Sequence, residues 1–321
     1  MIAAQLRSFL TTGTWRFAAI LVVVLAAVNI VALPSMVGPS GLSSSLAGLA
    51  PFALLGMASA PAILSGHGGI DLSVAPLMGL VNVVMVTVFL GTPFESPFIS
   101  VPILLALGAA VGAINGIAVA VLRFPAVIAT LCTYFVLTGI TLALVPTPVT
   151  APNSWVDALA GSIAGVPGAL LTIAAPLVIW FVLRRTAYVD NLLLVGDNEI
   201  AAFTAGVRVV SVRVIAYALG GLFAAVAGIA LTALVRTADA ALSQPYVLIA
   251  LAAVAIGGVK LSGGVGGLIG PLMGAGAIFL LSALLTTLRV PATWLSVAYG
   301  AALLLALLVN ALASTLGKSR T

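Results

Sequence analysis

The chain has 321 residues, of which 63% are hydrophobic and only 6% are charged. Because soluble domains carry about 25% charged residues, this composition excludes an ordinary soluble enzyme and indicates a polytopic membrane protein. The net charge of +5 could suggest nucleic-acid binding, but the basic residues stand singly or in pairs between apolar runs. That distribution is typical of membrane loops. We therefore expect no nucleic-acid partner, and a single transmembrane domain over residues 1–321 in contact with membrane lipid.

Ten apolar segments follow one another along the chain, and most approach or exceed the ~17–25 residues that cross a bilayer as a helix. They cover residues 17–33, 46–64, 74–91, 99–122, 125–145, 168–183, 214–235, 246–259, 265–288 and 294–312. The expected fold class is all-α, a polytopic transmembrane helix bundle of about ten spans.

The basic residues indicate the orientation of these spans. With the N-terminus inside, the inner connections receive ten of the twelve Lys and Arg residues, and the outer ones receive only Arg236 and Arg289. Positive charge accumulates on the cytoplasmic side of membrane proteins, so we expect both termini to be cytoplasmic. The outer loop 146–167 is rich in Pro, Ser and Gly, and its Trp155 suits an interfacial or re-entrant element.

The most polar stretch, residues 184–213, reads RRTAYVDNLLLVGDNEIAAFTAGVRVVSVR. Its charges exclude it from hydrocarbon, so we expect a cytoplasmic loop. Asp197 or Asn198 can cap a short helix over residues 198–205, and Gly206 can end it in a left-handed conformation. Ile200, Phe203 and Val207 fall on one side of that helix. The pattern fits either a solvated loop helix or a helix that docks on a cytoplasmic partner.

Two glycine-rich loops interrupt the apolar segments: SGHGGIDLS at 65–73 and GGVKLSGGVGG at 257–267. They are either broken helices at a transport site or tight turns between helices. Asp71 is expected to cap the third span, whose N-terminus attracts a carboxylate. The two loops also share the patterns GGIDLS and GGVKLS, which suggests an internal duplication. The residues singled out in these loops are Gly68, Gly69, Asp71, Ser73, Gly257, Gly258, Ser262, Gly263 and Gly264.

No residue pattern predicts catalysis, a cofactor or a metal site. His67 and Asp71 are only two potential ligands, and neither a nucleophile with a base nor a phosphate-binding Gly-Lys-Ser/Thr loop is present. We therefore expect a protein that is not an enzyme. The spans instead contain neutral hydrogen-bonding side chains, which can line a translocation path or join helices to one another. The candidate path residues are Asn82, Asn115, Thr130, Thr133 and Tyr134.

Four motifs carry a resemblance to a known family: GGIDLSV (68–74), NGIAVAVLRFPAVIATLCT (115–133), GDNEIAAFTAGV (196–207) and GGVKLSGGVGGLIGPLMGA (257–275). In this order they resemble the permeases of bacterial sugar-import ABC transporters, the group that handles ribose, xylose, galactose and related compounds. The resemblance implies a multi-pass protein of the bacterial inner membrane and a second permease subunit, identical or different. It also implies a cytoplasmic ATP-binding subunit and a periplasmic solute-binding protein.

The resemblance further implies that residues 196–206 form the coupling helix, which sits in a groove of the ATP-binding subunit. The residues placed there are Gly196, Asp197, Asn198, Glu199, Ala201, Ala202, Phe203 and Gly206. The chain departs from the family pattern at Ala75, Pro76, Cys132, Lys260 and Gly266.

The expected function is import of a monosaccharide or a similar neutral, polyhydroxylated solute, driven by ATP hydrolysis in the partner subunits. In the expected topology every charged residue lies in a loop or at a membrane face, whereas a charged solute usually meets a fixed counter-charge. A permease for nucleosides or branched-chain amino acids is an alternative. An ion-coupled secondary transporter is another, although no ion site is evident near the middle of the spans.

Overall fold

The computed structural model describes residues 15–318, without the side chains of residues 39, 292, 306–307 and 309–318. This part of the chain is mostly helical. The helices are α1 Arg16–Ala32, α2 Pro39–Leu64, α3 Val74–Val84, α4 Pro97–Ala120, α5 Ala126–Leu144, α6 Asp157–Ala160, α7 Ala169–Leu183, α8 Ala187–Asp197, α9 Glu199–Thr204, α10 Val209–Val235, α11 Tyr246–Ile256, α12 Ile269–Thr287 and α13 Ala292–Lys318. A 3₁₀ turn, Pro34–Val37, precedes α2, and a π-helical turn, Met85–Phe89, continues α3.

Each of the ten predicted apolar segments overlaps one of these helices, although α2 and α10 begin several residues before their segments. Five of them, α2, α4, α5, α10 and α12, are long and apolar enough to cross a membrane. Helices α7 and α8 would give a sixth span if they are taken together, although they meet at an angle of 88°. Helices α1, α3, α11 and α13 have shorter apolar stretches. A multi-pass helix bundle is therefore confirmed, whereas the number of ten spans and the side of the termini stay predictions.

Helix α10 lies at the centre of the bundle and packs against α2, α3 and α4. Small residues bring the backbones of α4 and α10 together. A Cβ atom at Gly221 would lie 2.1 Å from the carbonyl oxygen of Gly108, and one at Gly112 would lie 2.2 Å from that of Tyr217. Close approach through small residues is a common way for membrane helices to associate, because lipid supplies no hydrophobic force between them.

Helix α2 is the other buried helix, packed against α10, α11 and α12. Helix α5 lies at the periphery and contacts mainly α3 and α4. Only 22% of the residues in its most apolar stretch are therefore buried within the chain. The unburied face of α5 is available to lipid or to another protein.

The loop at 146–167 is folded against neighbouring loops. Strand β1 (Val149–Thr150) pairs antiparallel with β4 (Thr237–Ala238), and β2 (Ser162–Ile163) pairs with β3 (Val166–Pro167). Trp155 donates its indole N–H to the carbonyl oxygen of Glu95 at 2.8 Å. Trp155 therefore fixes this loop to the segment before α4.

Candidate functional site

Helix α9 is the short helix that the sequence predicts inside the polar stretch 184–213. It begins at Glu199, and the side-chain oxygen of Asn198 accepts a hydrogen bond from the N–H of Ala201 at 3.0 Å. This bond satisfies one of the N–H groups that a helix start leaves without a partner. Gly206 has a φ of +84°, a left-handed conformation that glycine adopts readily. Asn198, rather than Asp197, is thus the cap.

The two sides of α9 face different surroundings. Ile200 and Phe203 are 77% and 72% exposed, and Ala201 and Gly206 are also exposed. Ala202 is fully buried and faces the body of the protein. The exposed apolar side chains can contact another protein, whereas Ala202 cannot, although the family resemblance places it in the same helix.

The two glycine loops meet directly beside α9, at a contact that we call the glycine junction and define as Gly66, Gly196, Gly263 and Gly264. A Cβ atom at Gly196 would lie 1.9 Å from the carbonyl oxygen of Leu64 and 2.5 Å from the nitrogen of Gly264. One at Gly263 would lie 2.4 Å from the Cα of Gly66. The N–H of Gly264 also donates to the Leu64 carbonyl at 3.2 Å. These backbone contacts exclude any side chain from the junction.

The other glycines singled out in the sequence lie in the same two loops, at positions where the backbone conformation or a close contact favours glycine. Gly68 and Gly258 have φ values of +67° and +74°. A Cβ atom at Gly69 would lie 2.2 Å from the Ala62 carbonyl oxygen, and one at Gly257 would lie 2.3 Å from Gly270. These four positions thus have either a left-handed backbone conformation or a close backbone contact, and both favour glycine. The side chain of Ser262 is exposed.

A buried arginine connects α9 to the bundle. Arg213, on α10, is only 5% exposed. Its guanidinium donates to a carboxylate oxygen of Glu199 at 2.9 Å and to the carbonyl oxygen of Ser65 at 3.4 Å. The hydrogen bond from Arg213 lowers the pKa of Glu199, because it stabilises the ionised carboxylate. Glu199 is therefore charged at neutral pH and ties the start of α9 to α10 and to the end of α2.

Sequence reasoning treated Arg213 only as one of many cytoplasmic charges. In the sequence, Arg213 stands directly before the apolar segment 214–235, and this position could have indicated that its side chain is buried. In the structure it lies four residues after the start of α10. A second, weaker ion pair joins Lys260 and Asp197 at 3.8 Å. Both side chains are more than half exposed, so this pair contributes little.

A groove of about 810 Å³ opens between α9, the end of α4 and the start of α10. Its walls carry both apolar and charged side chains, and the exposed Ile200 and Phe203 belong to one wall. The remaining lining residues are His67, Val119, Ala120, Arg123, Asp197, Asn198, Glu199, Val209, Val210 and Arg213. The groove is therefore an open recess beside the exposed face of α9.

Asp71 lies in the loop before α3, as expected, and is buried there. One of its carboxylate oxygens accepts hydrogen bonds from the N–H and the hydroxyl of Ser73 at 2.9 and 2.7 Å. Asn115 donates to the Ser73 hydroxyl at 2.8 Å, and Thr133 donates to the Asn115 side-chain oxygen. Burial raises the pKa of Asp71 by disfavouring its charged form.

The predicted capping role of Asp71 is wrong in its detail. Helix α3 begins at Val74, and Ser73 is its N-cap residue. The Asp71 carboxylate accepts a hydrogen bond from the N–H of Ser73 itself, and so it does not cap the first turn of the helix. His67 points away from Asp71, since its side chain is 70% exposed and lies 3.8 Å from Glu199. Among the residues that the structure describes, no three His, Cys, Asp or Glu side chains could hold a metal ion.

Three of the five candidate path residues are buried in hydrogen bonds between segments of the chain. Asn82 is buried and donates to the Thr232 hydroxyl and the Thr237 carbonyl, both at 3.0 Å. Asn115 and Thr130 are buried as well, and Thr130 joins α5 to the loop before α3 through the Leu72 N–H at 3.2 Å. These three act in interhelical hydrogen bonds, which is the alternative role. Thr133 and Tyr134 are half-buried on α5.

The helices and these loop contacts define a multi-pass helical membrane protein that carries an anchored, partly apolar loop helix. The chain belongs to the family described as branched-chain amino acid transport system / permease component, whose profile matches residues 41–312. This membership confirms that the chain is a transport-system permease.

Curated relatives agree with this assignment. The ribose import permease protein RbsC of Escherichia coli K12 is 34% identical over 249 residues, covering 75% of this chain and 77% of the relative. RbsC of Bacillus subtilis 168 is 31% identical over 296 residues, covering 91% and 89%. The autoinducer 2 import system permease protein LsrC of Escherichia coli K12 / DH10B is 31% identical over 241 residues, covering 70% and 66%. No solved structure matches the chain.

Proposed function

We propose that this chain is the permease subunit of an ATP-binding-cassette importer in the bacterial inner membrane, and that it translocates a monosaccharide or a similar neutral, hydroxyl-rich solute. The observation that carries the proposal is helix α9, a capped helix with two exposed apolar side chains, fixed to the bundle by Arg213 and the glycine junction. The solute class is supported by relatives whose names include ribose import.

The exposed face of α9 fits a groove on a cytoplasmic ATP-binding subunit. Fully burying a side chain such as Ile or Phe contributes about 1.5–3 kcal/mol each, which is a useful share of a docking interaction. The contact between the buried Arg213 and the partly exposed Glu199 keeps α9 attached to α10 while the partner moves. Force applied to α9 would then reach the end of α2 through the Ser65 carbonyl.

The proposed topology has ten spans with both termini in the cytoplasm. The ten-to-two distribution of basic residues supports it. In a variant without the natural cysteine, Cys132→Ser, single cysteines at positions 155 and 205 report on the two faces. A membrane-impermeant thiol reagent should label position 155 from the periplasm and position 205 only after the membrane is opened. Labelling of both positions from one face would contradict the topology.

A second permease subunit would face the exposed side of α5, and a periplasmic solute-binding protein would dock at the opposite end from α9. Thr133, Tyr134 and Thr138 lie half-buried along α5. Between two subunits, such groups would line a hydrated passage that binds a sugar weakly, because they exchange hydrogen bonds with hydroxyl groups.

Uptake of labelled ribose by vesicles that contain the complete complex tests the function. Uptake should require ATP and the solute-binding protein, and it should persist when an ionophore collapses the proton and sodium gradients. Uptake that follows an ion gradient without ATP would replace the importer with a secondary transporter. ATP-driven uptake of a nucleoside or a branched-chain amino acid, with no sugar taken up, would retain the importer and reject the solute class.

A further inference from the structure

A second groove, of about 520 Å³, lies between α7 and α12 and is not part of the surface around α9. We call it the α7–α12 groove. Its lining is predominantly apolar, with Arg184 at one end. The lining residues are Trp15, Ala174, Leu177, Val178, Trp180, Phe181, Arg184, Gly266, Gly267, Leu268, Ile269 and Gly270. Val178 and Phe181 are 59% and 58% exposed, so the groove opens toward the surroundings of the bundle rather than into its core.

Positive charge concentrates at one end of this groove. Arg184 lines it directly, and the guanidinium of Arg185 lies 4.6 Å from the centre of the Phe181 ring. Neither arginine forms an ion pair with an acidic side chain in the described part of the chain, residues 15–318. The same end contains the start of α12, which has no side-chain cap and therefore leaves N–H groups of its first turn without a helical partner.

We propose that the α7–α12 groove binds an anionic phospholipid of the leaflet that adjoins the α9 end, with its phosphate beside Arg184 and an acyl chain along Val178 and Phe181. The groove combines an apolar wall of membrane-facing side chains with an unpaired cation, Arg184, at its rim. An anionic lipid matches both parts, because its acyl chain is apolar and its headgroup is negatively charged. A soluble anion would use the arginine but leave the apolar wall exposed.

The position of the groove supports a lipid rather than a soluble ligand. Arg184 follows directly after the last residue of α7, one of the apolar segments of the bundle. Trp15 and Trp180 line the same groove, and indole side chains favour the boundary between headgroups and hydrocarbon. The cytoplasmic leaflet of a membrane carries anionic lipids that attract basic residues near its surface, and the proposed topology places Arg184 on that side.

The two tryptophans also make the proposal measurable. Trp155 and Trp294, which do not line the groove, are replaced by Phe, so that fluorescence reports on Trp15 and Trp180. The purified full-length chain is reconstituted in vesicles with either dibrominated phosphatidylglycerol or dibrominated phosphatidylcholine at equal mole fraction, since bromine quenches a tryptophan that it touches. The apparent affinity for phosphatidylglycerol should be about fivefold higher, the factor expected for one basic residue beside an anionic headgroup.

Substitution of the cation tests whether the preference belongs to this groove. Arg184→Gln should bring the ratio between the two lipids close to one, whereas the matched change Arg208→Gln, outside the groove lining, should leave it near fivefold. Native mass spectrometry of the unmodified chain gives a second measurement, in which bound phosphatidylglycerol should survive delipidation better than phosphatidylcholine.

Three results would overturn the proposal. Equal quenching by both lipids would show an ordinary lipid-facing surface. A preference that persists in Arg184→Gln would place the anionic lipid elsewhere. Quenching by neither lipid would show that protein, such as a second copy of this chain, covers the groove. Each result leaves the ATP dependence of solute uptake unaffected, so a failure here is distinguishable from a failure of the proposed function.

Discussion

The contact between Arg213 and Glu199 gives a quantitative prediction. The Arg213 side chain is 6% exposed and that of Glu199 is 45% exposed. Removing one partner of a fully buried pair costs about 3–5 kcal/mol, and an exposed pair contributes about 0.2–1 kcal/mol. Because water reaches Glu199 but hardly reaches Arg213, we expect Glu199→Gln to lower the free energy of unfolding by an intermediate amount, about 1–2 kcal/mol.

A double-mutant cycle isolates this contact. In the Arg213→Met background the buried charge is absent, so Glu199→Gln should cost much less than it does in the wild type. The assay is denaturant unfolding of the purified permease in detergent. Asp197→Asn is the matched control, since its pair with Lys260 is exposed on both sides and 3.8 Å long. Equal costs of Glu199→Gln in the two backgrounds would refute the reasoning.

The same contact predicts a pH dependence and a functional effect. The pKa of Glu199 is lowered in the folded chain from its ordinary value of 4.5. The stabilisation is therefore fully present above pH 4.5 and is lost as the pH falls through the lowered pKa. The stability difference between wild type and Glu199→Gln should disappear in that range. At neutral pH, Glu199→Gln should also weaken the stimulation of ATP hydrolysis by loaded solute-binding protein. Undiminished stimulation would show that Arg213 and Glu199 only stabilise the fold.

Three further changes test other parts of the structure. Gly196→Ala should reduce the amount of folded permease and lower the free energy of unfolding by at least ~2 kcal/mol through overpacking. Gly139→Ala is the control and should be nearly neutral, because its Cβ atom would meet nothing within 4 Å. Equal yields of the two variants would contradict the glycine junction. Ile200→Ser or Phe203→Ser should leave the yield normal but reduce affinity for the ATP-binding subunit by about tenfold or more, measured by co-purification and stimulated ATP hydrolysis. Asp71→Asn should change yield and uptake only slightly. Asp71→Leu should lower the free energy of unfolding by about 1–3 kcal/mol, because it leaves the Ser73 N–H unpaired. Loss of uptake in Asp71→Asn at normal yield would show that the carboxylate has a functional role.

Features that depend on local sequence were predictable. Each of the ten apolar segments overlaps a helix, because hydrophobic runs bounded by charge or glycine are a sufficient local signal. The short helix α9 was predictable from the preference of Asp and Asn for the N-cap position, which left Asp197 and Asn198 as alternatives, and from a glycine at a left-handed position at its end.

Features that depend on distant contacts were not predictable. Ala202 faces inward and Ala201 outward, and in a helix of six residues the apolar pattern is too short to distinguish them. Asn82 and Thr130 have the chemistry of path-lining residues, but their partners come from segments far along the chain. The burial of Asp71 likewise depends on α4 and α5 enclosing the loop before α3.

The glycine junction has a mechanical consequence for the bundle. Side chains can change rotamer and absorb a small displacement, but the junction consists of backbone atoms in direct contact. A displacement of the end of α8, which contains Gly196, is therefore passed directly to the end of α2 and to the loop before α12. The bending that transport requires is then expected at other points of the bundle. The 88° break between α7 and α8, and the π-helical turn at Met85–Phe89, are the irregular points where the chain can flex.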